Sequence, residues 1–180
     1  MTQVSGSAVA GKLREGALTG AWVLDPGRSR VRLSTRAMWG RVPVHGTFRQ
    51  VRGTAQVTGP GAVTARIEIA SASIDTKIKM RDHHLRSDDF FAAAAHPTIA
   101  VGIEGVEPAG NALHATGTLT IRGRSMPLSF PVTVTELADT SVVLDAVVKV
   151  DRSEVGLDYR ARGATHMHNE LTVHAVFIRA

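Results

Sequence analysis

The chain predicts an all-β fold, an antiparallel sheet of about eight strands with one accessory helix. Three observations carry that expectation. From Ala112 to Val134 apolar and polar residues alternate on both sides of a short turn, and a strand presents successive side chains to opposite faces. Similar runs recur along almost the whole chain. Only the stretch from Met80 to Ala95 has helical composition without turn breakers. Sequential antiparallel strands with one oily face either stack as a sandwich or close into a barrel. The length of the runs, and the mixture of large residues with Ala and Gly on the oily face, favour a barrel whose interior leaves room.

Residues 1–19, rich in Gly, Ser and Ala, are expected to be a flexible arm, with the folded domain over 20–180. Trp22-Val23-Leu24 reads as a first short strand, stopped by Asp25-Pro26-Gly27. In the second, Val31, Leu33 and Thr35 alternate against Arg30, Arg32, Ser34 and Arg36. A longer run from Val42 through Phe48, Val51, Gly53, Ala55 and Val57 contains glycines that suggest a bend or bulge, as a curling sheet requires. Val63, Ala65, Ile67 and Ile69 share the next apolar face. Met80 to Ala95 predicts a helix, in one piece or two, ended at His96-Pro97 because the residue before proline disfavours helical backbone.

Strand pattern returns around Ile99, Val101 and Ile103. In the hairpin that follows, Leu113, Ala115, Gly117, Leu119 and Ile121 share one parity. After Arg122-Gly123-Arg124-Ser125 come Met126, Leu128, Phe130, Val132 and Val134. Val142, Leu144, Ala146, Val148 and Val150 define the next strand, and Leu171, Val173, Ala175 and Phe177 the last, after a loop rich in Gly, Arg and His.

Composition narrows the function classes. With no cysteine, disulfides and thiolate chemistry are excluded. No basic segment followed by an apolar one opens the chain, and no apolar run has the length of a membrane helix, so a cytoplasmic protein without a transmembrane segment is expected. The net charge of +5 comes mostly from arginines scattered through loops and polar strand faces, with almost no interleaved aromatics. Nucleic-acid binding needs basic clusters and stacking platforms, so no nucleic-acid partner is expected.

The main functional candidate is the barrel interior. Val31, Leu33, Phe48, Ile67, Ile69, Phe90, Phe91, Ile99, Val101, Leu119, Leu128, Phe130, Leu144, Val148 and Phe177 would supply apolar surface without a fixed polar constellation. They either pack together as a dry core or line a cavity for a hydrocarbon tail, which gains about 25 cal/mol per Å² removed from water. His166, His168 and His174 share a parity that could present imidazoles to a metal, but it is opposite to the oily one and lacks a completing carboxylate; no metal is assigned. Asp88-Asp89 reads as capping rather than acid–base chemistry, since adjacent helical side chains diverge.

These pieces together resemble the YceI-like family. The resemblance runs from about Gly20 to Phe177 and rests on ordered pieces. They are Trp22-Val23-Leu24-Asp25 with Ser29, Gly46-Thr47-Phe48 with Gly53, Ser73-Ile74-Asp75-Thr76, and Asp82 with His84-Leu85. Ser87-Asp88-Asp89-Phe90-Phe91, His96-Pro97-Thr98-Ile99, Gly117 to Gly123 and Asp151 to Gly156 complete the series. The resemblance implies a lipocalin-like barrel that binds, stores or carries an isoprenoid lipid, a polyprenyl phosphate or pyrophosphate or an isoprenoid quinone. It implies no catalysis and no cofactor, a homodimer, and at most transient contact with a membrane surface. A phosphate head would need cations at the mouth, for which Arg122, Arg124, Arg152, Arg160 and Arg162 are the candidates. The competing class is an enzyme acting on a small hydrophobic substrate inside the barrel.

Overall fold

The computed structural model describes residues 3–37, 41–59, 62–151, 153–157 and 168–180, and the alternating runs become strands of a single antiparallel sheet. In chain order these are β1 (Gly20–Leu24), β2 (Arg30–Ala37), β3 (Val42–Phe48), β4 (Val51–Thr58), β5 (Ala62–Ala70) and β6 (Ile74–Asp75). They continue as β7 (Thr98–Ala109), β8 (Ala112–Ile121), β9 (Arg124–Leu137), β10 (Ser141–Asp151) and β11 (His168–Arg179). β1 pairs with β4 on one side and β11 on the other, which closes eight strands into a barrel. β11 is shared: Phe177 to Arg179 pair with β1, while Glu170 to His174 pair with β2, to which β3 and then β6 are added, and Val31, Leu33 and Phe48 of this extension are buried in the core.

Turn chemistry sets the hairpin register. Ile121 pairs with Arg124, so the β8–β9 turn is Arg122-Gly123, with φ of 52° and 71°. Two positive φ values define the hairpin turn whose twist matches that of the strands. Glycine adopts this conformation freely; Arg122 is held in it with its guanidinium donating to the Phe90 carbonyl at 3.1 Å. Along the wall, β9 pairs with β8 over Arg124–Val132 but with β10 only over Val132–Leu137. Pro127 and Pro131 fall in the part that β10 leaves unpaired, where a missing N–H is tolerated.

Two segments differ from expectation. The supposed arm contains α1 (Gly6–Arg14), N-capped by Ser5, whose Oγ accepts from the Ala8 amide. Backbone bonds from Val4 to Val134 and from Gly6 to Asn111 tie it to the barrel, and Val9 and Leu13, one turn apart, are buried against the end of the barrel. A short helix gains its stability from such docking rather than from its own propensity, which is why Gly/Ser/Ala composition misleads. The second helix, α2 (Lys79–Arg86), is half the expected length. The Ser87 hydroxyl donates to the His84 carbonyl at 2.6 Å and Ala92 takes φ of 46°, so the chain proceeds to Pro97 in turns.

Candidate functional site

The barrel interior is hollow. One cavity of about 200 Å³ lies toward α1, and every residue lining it is apolar. A second, of about 240 Å³, lies toward α2. Ile69 and Leu171 line both, so the two adjoin along the barrel axis. Side-chain size leaves the space open: Ala55 and Ala65 face each other across β4 and β5, and Ala115, Ala146 and Ala175 line other parts of the wall. Inward residues such as Leu144, Ala146, Leu171 and Val173 are only partly buried, and they face the cavity.

The two ends are built differently. At the α1 end, Val9, Leu13, Leu18 and Trp22 cover the opening. Trp22 Nε1 donates to the Leu18 carbonyl at 3.0 Å, the Arg179 guanidinium stacks 4.6 Å from the Trp22 ring, and Arg179 also donates to the carbonyls of Ala17 and Thr19. At the α2 end the lining becomes mixed. Apolar Leu33, Phe48, Leu85, Phe91, Val155 and Leu157 are joined by Thr35, Asn169, Arg81 and the exposed Arg36 and His84. Arg81 is braced by Thr76, giving Nε to its hydroxyl at 2.8 Å and Nη2 to its carbonyl at 2.9 Å. The same threonine donates its amide to Asp82 Oδ1 at 2.8 Å, fixing α2 against β6.

All the apolar residues named from the sequence line one or other cavity. Leu33, Phe48, Phe90, Phe91 and Ile99 lie toward α2, Ile69 lies at the junction, and Val31, Ile67, Val101, Leu119, Leu128, Phe130, Leu144, Val148 and Phe177 lie toward α1. Of the proposed cations, Arg122 serves the Phe90 carbonyl and Arg124 packs beside Gly156, and neither lines either of these two cavities; Arg152, Arg160 and Arg162 lie outside the described residues. Among the described residues, the arginines that line the α2-end cavity are Arg36 and Arg81. Arg36 carries the polar parity of β2 and Arg81 sits on α2, so sequence pattern marks neither as an interior residue; both line the α2-end cavity in the folded chain.

The other polar candidates have local partners. His174 Nδ1 lies 2.7 Å from Asp145 Oδ1 on the outer face, while His166 and the His168 side chain are outside the described residues. Asp89 meets His84 Nε2 at 3.2 Å. Asp75 accepts from the Lys77 amide and from Arg49, in that order of effect, and its carboxyl is held well below the ordinary carboxylate range. Among the described residues no helix is long and apolar enough to cross a membrane.

The family model of the YceI-like domain matches residues 22–177. Protein YceI of Escherichia coli O157:H7 is 34% identical over 88 residues, covering 48% of this chain and 46% of that protein. The UPF0312 protein of Azotobacter vinelandii is 33% identical over 88 residues, with 47% and 46% covered. The matched part thus spans about half the length of these curated relatives. Among solved structures, BcnA of Burkholderia cenocepacia superposes with a TM-score of 0.76 at 24% identity, covering 85% of this chain and 98% of that one. A polyisoprenoid binding domain from Saccharophagus degradans gives 0.75 at 15% identity, covering 88% and 98%. At such identities the likeness is one of fold.

Proposed function

The chain belongs to the YceI-like family, and on that premise we propose that its barrel binds an isoprenoid lipid as a non-catalytic carrier or store. The observation that carries the reading is the wholly apolar lining of the α1-end cavity. An uncharged hydrocarbon tail fits such a surface, each buried methylene contributing about 0.8 kcal/mol. The head would then lie toward α2, where the polar residues of the lining are. A polyisoprenoid binding domain of the same fold supports the choice of tail. Polyprenyl phosphates and isoprenoid quinones share that tail chemistry.

Sequestration is the mechanism: the tail leaves water for the inward faces of β5, β7, β8 and β10, and no bond is made or broken. Acid–base chemistry would need titratable groups on the substrate, and none of the α1-end lining is titratable. Organic extraction of the purified protein followed by mass spectrometry tests the reading. A stoichiometric long-chain isoprenoid is the expected result. A protein that yields none, and takes up none when offered, would overturn it.

A further inference from the structure

We propose that Thr35 and Asn169 form a head-group site selecting an uncharged lipid whose polar end both donates and accepts hydrogen bonds, a prenyl alcohol in preference to a prenyl phosphate or quinone. The inference rests on the lipid-binding reading above. Thr35 Oγ1 and Asn169 Oδ1 are buried and have no hydrogen-bond partner. Both residues line the α2-end cavity. The β2–β11 ladder pairs Leu33 with Leu171 and Ser34 with Glu170, so one further step sets Thr35 beside Asn169 on the inward parity. Val150, also inward, pairs with Asn169 from the other side.

Buried polar atoms without partners are rare in native proteins because each forfeits its hydrogen bonds to water. Packing gives no reason for these two. Valine has nearly the shape of threonine, and leucine that of asparagine, and the ladder neighbours Leu33, Leu171 and Val150 are apolar. Two such atoms on adjacent strands, facing one cavity next to a tail-shaped apolar space, are accounted for by a ligand group that completes both.

The chemistry of the pair chooses the head. Asn169 Oδ1 only accepts, so its complement must donate; the Thr35 hydroxyl can give its own hydrogen to the same ligand oxygen. An alcohol oxygen does both at once. Quinone carbonyls only accept, and an ionised phosphate presents acceptors, so with the amide in this orientation either would leave Asn169 Oδ1 unpaired against another oxygen; an amide turned over to present Nδ2 would pair with both, and the phosphate arm of the test below separates the two orientations. Two cations also line this cavity, Arg36 and Arg81, but Arg81 already gives Nε and Nη2 to Thr76, and the exposed Arg36 would meet a phosphate in water, where an ion pair contributes little.

The test offers delipidated protein three tails of one length, geranylgeraniol, geranylgeranyl phosphate and the corresponding hydrocarbon, in competition with a fluorescent hydrocarbon probe. Wild type is expected to bind the alcohol about tenfold more tightly than either of the others. In Thr35→Val/Asn169→Leu that preference disappears, while hydrocarbon binding and the melting temperature are maintained, because orphaned polar atoms have been removed. Should the double variant fold poorly, Thr35→Val alone keeps the shape and is expected to lose part of the preference. Phosphate binding as tight as alcohol binding, or a preference that survives the substitutions, overturns the head-group site alone. If none of the three displaces the probe, the lipid-binding reading fails and the head-group site fails with it.

Discussion

Replacing Ala146 with Phe separates a hollow barrel from a packed one. Ala146 lines the α1-end cavity of about 200 Å³, between Val132 of β9 and Val173 of β11. In a filled core the added ring would force its neighbours apart and cost about 1–3 kcal/mol. Here it enters free space. Burying a phenylalanine side chain contributes about 1.5–3 kcal/mol, offset by about 1 kcal/mol of lost rotamer freedom. The delipidated variant is therefore expected to be more stable by about 0.5–2 kcal/mol, a rise in Tm of roughly 1–8 °C for a domain of this size. Its lipid binding should weaken at the same time. Excluding only two methylenes from the cavity removes about 1.6 kcal/mol, or roughly tenfold in affinity. Circular dichroism melting and probe displacement on the same preparation check both effects. A lower Tm with undiminished lipid binding would refute the reasoning, since the tail would then lie elsewhere.

An empty α1-end cavity of about 200 Å³ would cost about 5 kcal/mol at roughly 24 cal/mol per Å³. Stripping bound lipid should accordingly lower the calorimetric Tm by about 10–20 °C, whereas an unchanged Tm would mean that the native cavity holds nothing. Gly117→Ala is expected to destabilise by about 2 kcal/mol or more, because the new Cβ would overlap the Gly102 carbonyl across the β7–β8 ladder. Gly102→Ala is its control, with nothing within 4 Å of the added carbon, and urea midpoints of the two should diverge. Asp25, Glu68 and Asp75 all have lowered pKa values, led by hydrogen bonds from Arg28, from Arg52 and from the Lys77 amide respectively. A folded pKa below the unfolded one gives stability that is full above the ordinary carboxylate range of about 4 and fades as pH falls through the depressed value. Urea midpoints should therefore drop on acidification below about pH 4, and less steeply in Asp75→Asn; parallel slopes would argue against the Lys77 and Arg49 bonds.

Period-2 alternation made the wall of this barrel legible before its topology was known. Leu119, Leu128 and Leu144 could be assigned to one interior because a strand offers each residue only two directions, and apolar surface selects one. The same logic concealed Thr35. Its parity is inward, yet a threonine among alternating residues looks like any other strand position until β2 is paired with β11 and its hydroxyl is found without a partner. α1 was illegible for a different reason. Val9 and Leu13 are too few to mark an amphipathic helix, and what holds them is the open end of a barrel assembled from residues far away in the chain. The arginines follow suit: Arg122 looked available in a turn, but a positive-φ hairpin points it back to the Phe90 carbonyl.

Hollowness is the property that local pattern reaches last. The diameter of a closed sheet is set by strand number and stagger, and its ladder hydrogen bonds resist collapse. The eight-stranded wall would therefore keep its dimensions whether the interior were filled or not. What decides the filling is side-chain volume at each inward position, and here alanines from β4, β5, β8, β10 and β11 occupy places where larger residues would meet. An interior of this kind lowers the stability of the empty protein and restores it on binding, because the contacts missing among the side chains are those a tail supplies. Affinity for a lipid and instability without it are then two readings of the same alanines, and substitutions that enlarge them should trade one for the other.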